Sequence, residues 1–109
     1  MRKKSLNALI SMGLSSSLRG FGYIADAMEL YEQKGSSYTN MAALYDILAN
    51  KYGVQWESVM DDISYAIDYV HKHGNGGQVV KYFGFMPKSV GNFLAMMFGR
   101  LQEEMHEGC

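Results

Sequence analysis

Residues 40–73 read NMAALYDILANKYGVQWESVMDDISYAIDYVHKH. On both sides of Gly53, apolar side chains recur at steps of three and four residues, which is the spacing of amphipathic helices. We predict one helix from 39 or 40 to 52 and another from about 55 to 73, joined by a turn of three or four residues. This arrangement predicts a helix-turn-helix, although helical hairpins are common in any bundle.

Glycine and serine clusters divide the rest of the chain into further helical segments. The predicted segments are 5–12, ending at Gly13; a helix capped by serines 15–17 and reaching 32 or 33; one or two turns over 78–83; and a last helix, capped by Ser89, that reaches about 106. Inside the second segment, Gly20 and Gly22 are expected to let a neighbouring helix pack closely. We therefore predict a single all-α domain over 1–109, a compact six-helix bundle.

The composition is that of a folded domain without a membrane span. Of the 109 residues, 48% are hydrophobic and 13% aromatic, which is enough to build a core and argues against disorder. No apolar run approaches the roughly 18 residues that cross a bilayer. Asn7 and Ser11 interrupt the apolar stretch that a signal peptide would need, and the only cysteine, Cys109, cannot form an internal disulfide. We expect a cytoplasmic protein.

Two stretches of the sequence, one of them inside the segment quoted above, carry a family resemblance. Residues 13–24 read GLSSSLRGFGYI and residues 44–52 read LYDILANKY. Val59, Ile63, Ala66, Ile67 and the Gly-Asn pair at 74–75 then fall in register. Over roughly residues 5–101 the chain resembles the C-terminal effector domain of stage-zero sporulation protein A, the response regulator that starts endospore formation.

The resemblance implies a six-helix DNA-binding domain that binds tandem sites as a dimer. Its recognition helix enters the major groove and corresponds to 55–73 here, with 40–52 as the supporting helix. In that regulator a phosphoacceptor receiver domain precedes the effector domain. We expect this chain to act as a stand-alone effector without one.

The predicted recognition helix departs from the family in its charge. The family presents arginines and a histidine where this chain has Ser58, Asp61, Ser64 and Tyr65. None of these side chains can reproduce the two parallel hydrogen bonds by which arginine reads guanine. The apolar stripe is expected to turn both Asp61 and Asp62 outward, where carboxylates oppose the counterion release that drives most non-specific DNA binding. We therefore do not expect binding to the family's usual sequence.

Charge is unevenly distributed around a net charge of −1. Residues 1–34 carry five basic and three acidic groups, 35–73 carry two and five, and 74–109 carry three and three. Positive charge for DNA can come from residues 2–4 as a basic arm, from Arg19 at a helix start, from Lys51 beside the turn and from Lys72 at the end of the recognition helix. The predicted DNA-binding residues are Gln55 at the start of the recognition helix, Ser58, Asp61, Ser64 and Tyr65 at base edges, and Arg19, Lys51 and Lys72 at phosphates.

A protein-interaction domain that kept the fold and lost DNA binding is the alternative. Such a chain would bind a protein partner or form a homodimer through its last helix. The methionines at 96, 97 and 105 fit either an adaptable interface or an ordinary core. The sequence likewise does not decide whether Trp56 belongs to an interface or to the core, because tryptophan is common both at binding hot spots and in cores.

No catalytic or metal-binding pattern is found, so we expect neither an enzyme nor a cofactor. The glycines at 74–77 follow a helix and lack the Lys-Ser or Lys-Thr of a phosphate loop. Asp61 and Asp62 are adjacent, so their carboxylates diverge. His71 and His73 point to different helix faces, and the terminal His106 and Cys109 offer a poor scaffold for a metal.

Overall fold

The structure is a computed structural model that describes residues 2–14, 18–34, 41–74, 77, 79 and 89–107. Five helices contain most of these residues, and no strand occurs among them, so the predicted all-α class is confirmed. The helices are α1 Arg2–Ser11, α2 Arg19–Lys34, α3 Met41–Tyr52, α4 Trp56–His73 and α5 Val90–Glu107. The predicted turn at 78–83, apart from Val79, and the capping serines 15–17 lie outside the described residues. A count of six helices therefore stays a prediction.

Glycines end α1 and α3 where the sequence predicts. Gly53 has a φ of +67°, and the amide of Val54 donates to the carbonyl of Ala49 at 3.0 Å. This is the left-handed helix end that favours glycine, because a Cβ would crowd the backbone there. Gly13, with a φ of +88°, closes α1 in the same way. Only residues 53–55 then separate α3 from α4.

The start of α2 crosses α4 at a backbone contact. A Cβ built on Gly20 would lie 2.3 Å from the carbonyl oxygen of Asp62 and 2.7 Å from the Cβ of Ala66. Any side chain larger than hydrogen would collide there, so the close packing expected at this glycine occurs. A Cβ on Gly22 would meet no atom of the described residues within 4 Å. For that residue the expectation of close packing is wrong, because it faces away from α4.

The inward faces of all five helices form one hydrophobic core. Its largest fully buried side chains are Phe93, Leu9, Met12, Ile24, Met28, Leu44, Leu48, Ile63, Leu94, Met97 and Leu101. Met97 is fully buried and Met96 packs against the core from its edge, which favours the core over the interface reading for these two methionines. The structure does not describe the side chain of Met105.

The last helix begins at the predicted cap. The amide of Asn92 donates to the hydroxyl oxygen of Ser89 at 3.1 Å, and the amide of Phe93 donates to the carbonyl of Ser89 at 2.9 Å. These bonds satisfy amides that the first turn of a helix leaves without partners. Within the described ranges, no helix combines the length and apolar character that a membrane crossing requires.

Candidate functional site

Helix α4 buries one face and exposes the other. Its apolar stripe of Val59, Ile63, Ala66, Ile67 and Val70 is buried against the other helices. Because residues three and four apart share a helix face, most of the polar residues between them point to solvent. The exposed Trp56 and His73 lie at the two ends of the helix. We call the exposed residues between them the outward face of α4: Glu57, Asp61, Ser64, Tyr65, Asp68, His71 and Lys72.

Most of the residues predicted to approach base edges share this face. Asp61, Ser64 and Tyr65 lie on it, and the Tyr65 side chain is 60% exposed. Gln55 is also exposed, at the residue that precedes α4, where its side chain forms no capping hydrogen bond. Ser58 is half-buried at the edge of the face.

Asp62 does not point outward as the sequence analysis expects. Its side chain is half-buried, and its Oδ2 atom is buried without a hydrogen-bond partner in the part of the chain that the structure describes. The physical reason is the crossing of α2, because Gly20 lies directly against the Asp62 backbone. The outward face therefore carries one carboxylate fewer than the periodicity suggests.

An open groove runs along the outward face toward α5, with a volume of about 630 Å³. We call it the α4 groove. Its described lining residues are Asp61, Ser64, Tyr65, Ile67, Asp68, His71 and Val90. The apolar residues come from the edge of the buried stripe and from the first residue of α5, and the carboxylates come from the exposed side of α4. The groove thus combines an acidic rim with an apolar floor.

The three predicted phosphate contacts divide between the two ends of α4. Arg19 is exposed at the start of α2, and it lines a smaller groove with Tyr23 and Tyr52 beside the α3–α4 connection. Lys51 lies at the same end, with its ammonium group 5.5 Å from the centre of the Tyr52 ring. Lys72 lies near the other end of α4, about 24 Å along the helix axis from Trp56 at 1.5 Å per residue.

Both lysines already have carboxylate partners. Lys51 Nζ lies 3.3 Å from Asp26 Oδ2, and Lys72 Nζ lies 3.6 Å from Asp68 Oδ2. The Lys51 side chain is 54% exposed and the Lys72 side chain is 69% exposed. The Lys72–Asp68 pair is exposed at both ends and contributes about 0–1 kcal/mol, so Lys72 can exchange its partner for another anion at small cost. The Asp26 side chain is only 3% exposed, so moving Lys51 away would leave a buried carboxylate with one cation fewer and costs more.

A buried carboxylate that the sequence analysis missed ties α2 to the end of α3. The Asp26 side chain is 3% exposed, and Oδ2 accepts a hydrogen bond from the Tyr52 hydroxyl besides the ion pair with Lys51. A signal is visible in the sequence, since Asp26 stands between two alanines on a helix of otherwise apolar inward positions. The periodicity could not name its partners, which are 25 and 26 residues away.

Replacing Tyr52 with phenylalanine should therefore lower the free energy of unfolding by about 1–3 kcal/mol, because a buried carboxylate loses a donor. Urea denaturation followed by circular dichroism measures this. Tyr65→Phe is the matched control, since its exposed hydroxyl should contribute within about 0.5 kcal/mol. Equal stabilities of Tyr52→Phe and the unsubstituted protein would contradict a structural role for this hydrogen bond.

Trp56 lies at the first residue of α4 and is 45% exposed. It lines a second small groove with Ala42, Tyr45 and Asp46 of α3. Burial raises the pKa of the Tyr45 hydroxyl above its ordinary value, because the phenolate form would lose its hydration. With Tyr52 and Tyr65, Trp56 is one of three large aromatic side chains that stay exposed between residues 52 and 65.

The described residues hold no cluster of three or more side chains that could bind a metal ion. The terminal pair His106 and Cys109 falls outside the described side chains. The site is thus an exposed helix face with acidic, hydroxyl and aromatic groups, and with basic groups at its two ends.

Comparison with protein-family models gives a match over most of the chain. The family described as "Sporulation initiation factor Spo0A C terminal" matches residues 6–100, which is most of the chain. No curated protein sequence matches the chain significantly. The chain therefore belongs to the family of Spo0A C-terminal domains, a family whose members act as DNA-binding regulators of transcription in sporulation.

Proposed function

We propose that this domain is a DNA-binding transcriptional regulator of the sporulation-effector type. In it, α3, the connection at 53–55 and α4 act as a helix-turn-helix, and α4 is the helix that enters the major groove. The observation that carries the proposal is the exposed outward face of α4, with Arg19 and Lys51 at one end and Lys72 at the other. Membership of the family supports it.

The outward face of α4 lacks the arginines of the family, so its side chains would recognise bases through other contacts. A carboxylate accepts from the exocyclic amine of cytosine, so Asp61 is our candidate for reading a C·G pair. Ser64, Tyr65 and Gln55 carry hydroxyl or amide groups that bond to base edges or phosphates. Arg19, Lys51 and Lys72 hold the flanking phosphates, Lys72 after leaving Asp68 and Lys51 while it keeps its contact with the buried Asp26.

Because few basic groups lie around α4, the DNA-binding constant should depend only weakly on salt concentration. If three cations neutralise phosphates, log K should fall against log salt concentration with a slope of about −2.7. Two copies on tandem sites, as the family resemblance implies, would double this slope. Fluorescence anisotropy at several salt concentrations measures the slope and so counts the phosphate contacts.

Replacing Asp61 with arginine should change which sequences are bound. The new side chain pairs with guanine, and one such bidentate contact discriminates by about 1–3 kcal/mol. Selection from a randomised duplex pool, followed by mobility shift, compares the variant with the unsubstituted protein. Glu103→Arg on α5 is the control of equal charge change, because Glu103 is an exposed carboxylate that does not line the α4 groove.

The control variant should bind more tightly to all duplexes alike, without a new preference. Identical selected sequences for Asp61→Arg and Glu103→Arg would remove Asp61 from the base-reading surface. No retardation of the unsubstituted protein by any pool at low salt would remove the DNA-binding proposal itself.

A protein-interaction domain is the second candidate. It is favoured by the charge of the outward face, where Glu57, Asp61 and Asp68 stand against Lys72. Under this candidate, Asp61→Arg weakens the capture of a protein partner and DNA is not a ligand.

A further inference from the structure

We propose that the α4 groove is a docking site for an arginine- and lysine-rich segment of a partner protein. The proposal rests on the second candidate function and goes beyond it by naming the chemistry of the partner. Its support comes from the arrangement of charge, aromatic surface and apolar floor in the groove.

The two carboxylates of the groove form one row with an aromatic ring between them. Asp61, Tyr65 and Asp68 follow each other at steps of four and three residues, which puts them on one line along α4. Two helical turns separate the two aspartates, about 10.5 Å along the axis. A partner with basic side chains at that spacing, such as arginines seven residues apart on a helix, can reach both.

Both carboxylates are available to such a partner. Asp61 forms no ion pair with the residues that the structure describes. Among the described residues, Asp68 pairs with Lys72 alone, at 3.6 Å and with both side chains more than 65% exposed. An incoming guanidinium can replace that lysine and form two parallel hydrogen bonds to the carboxylate, which an ammonium group cannot do.

The remaining walls fit the other parts of a basic side chain. The face of Tyr65, 60% exposed, offers a surface on which a guanidinium stacks. Below it, Ile67 and Val90 give an apolar floor for the methylene stem of arginine or lysine, or for an apolar residue between two basic ones. The groove therefore matches an amphipathic basic segment in more than its charge.

Phosphate fits the same groove less well. None of its described lining residues is a lysine or arginine. The phosphates of a duplex would be attracted by the basic residues at the ends of α4 but repelled by Asp61 and Asp68. A basic segment would be attracted by both carboxylates. The two ligands would contact the same face, so the proposal entails that they exclude each other.

Isothermal titration calorimetry with synthetic peptides tests the proposal. The probe is an amphipathic peptide with arginines seven residues apart and leucines between them, and the comparison peptide has glutamate in place of each arginine. We expect the arginine peptide to bind at low salt and the glutamate peptide not to bind. Asp61→Asn keeps the shape of the side chain and should weaken peptide binding about tenfold, the usual loss for one charge-assisted hydrogen bond. Glu103→Gln on α5 should leave it unchanged.

Absence of binding by the arginine peptide would overturn the proposal. So would equal affinity for Asp61→Asn and the unsubstituted protein, because the contact would then lie elsewhere. Mobility shift with randomised duplexes, performed separately, decides the DNA-binding proposal. Peptide binding without retardation of DNA would support the docking site and contradict the DNA-binding proposal. Retardation of DNA without peptide binding would contradict the docking site and support DNA binding.

Discussion

Replacing Gly20 with alanine should lower the free energy of unfolding by about 3 kcal/mol or more, toward the upper end of the cost of overpacking. The added methyl group would lie 2.3 Å from the Asp62 carbonyl oxygen and 2.7 Å from the Ala66 Cβ. Neither atom is the end of a flexible side chain, so neither can rotate away. Relief requires α2 and α4 to separate, which opens the core between them.

Gly22 gives the matched control two residues along the same helix. In the part of the chain that the structure describes, its Cβ position meets no atom within 4 Å, so Gly22→Ala should gain up to about 1 kcal/mol from helix propensity. Urea denaturation of both variants measures the difference, and the two changes should have opposite signs. Similar effects at both positions would mean that α2 does not cross α4 at Gly20.

Replacing Phe93 with alanine should cost about 3–5 kcal/mol, the range for a large aromatic side chain removed from a core. Phe93 is 0% exposed in the first turn of α5, and the loss leaves a cavity where α5 meets the rest of the core. For a domain of this size we expect the melting temperature to fall by roughly 12–40 °C, at about 4–8 °C per kcal/mol. Differential scanning calorimetry gives the shift.

The neighbouring Asn92 supplies the comparison. Its side chain is exposed, and the cap on Ser89 uses its backbone amide, which alanine keeps. Asn92→Ala should therefore change stability by no more than about 0.5 kcal/mol. A melting temperature of Phe93→Ala close to that of Asn92→Ala would show that α5 is not anchored through this ring.

Helix positions were predictable because each depends on a local signal. Apolar steps of three and four residues indicate the helices, and Gly13, Gly53 and Ser89 mark three of their ends. Helix α4 begins one residue after its predicted start and ends at the predicted residue, His73. α1 begins three residues before its predicted start, because the arginine and lysines at 2–4 are good helix formers and continue the helix.

Contacts between distant segments were not predictable in the same way. Periodicity gives the direction of a side chain relative to its own helix axis, but it does not say which neighbouring helix crosses above it. For this reason Asp62 was expected to be exposed like Asp61, and the partners of Asp26 were missed. The apolar floor of the α4 groove depends on Val90, whose place beside α4 follows from packing alone.

The backbone contact at Gly20 has a mechanical consequence for whatever meets the opposite side of α4. Where helices touch through long side chains, rotamer changes let one shift against the other. Here only the hydrogen atom of Gly20 separates the main chains of α2 and α4, so no change of side-chain rotamer can accommodate a displacement of α4. A ligand pressing on α4 thus meets a stiff surface, so binding orders little of the protein and loses little conformational entropy. Such a surface favours ligands that already have the complementary shape.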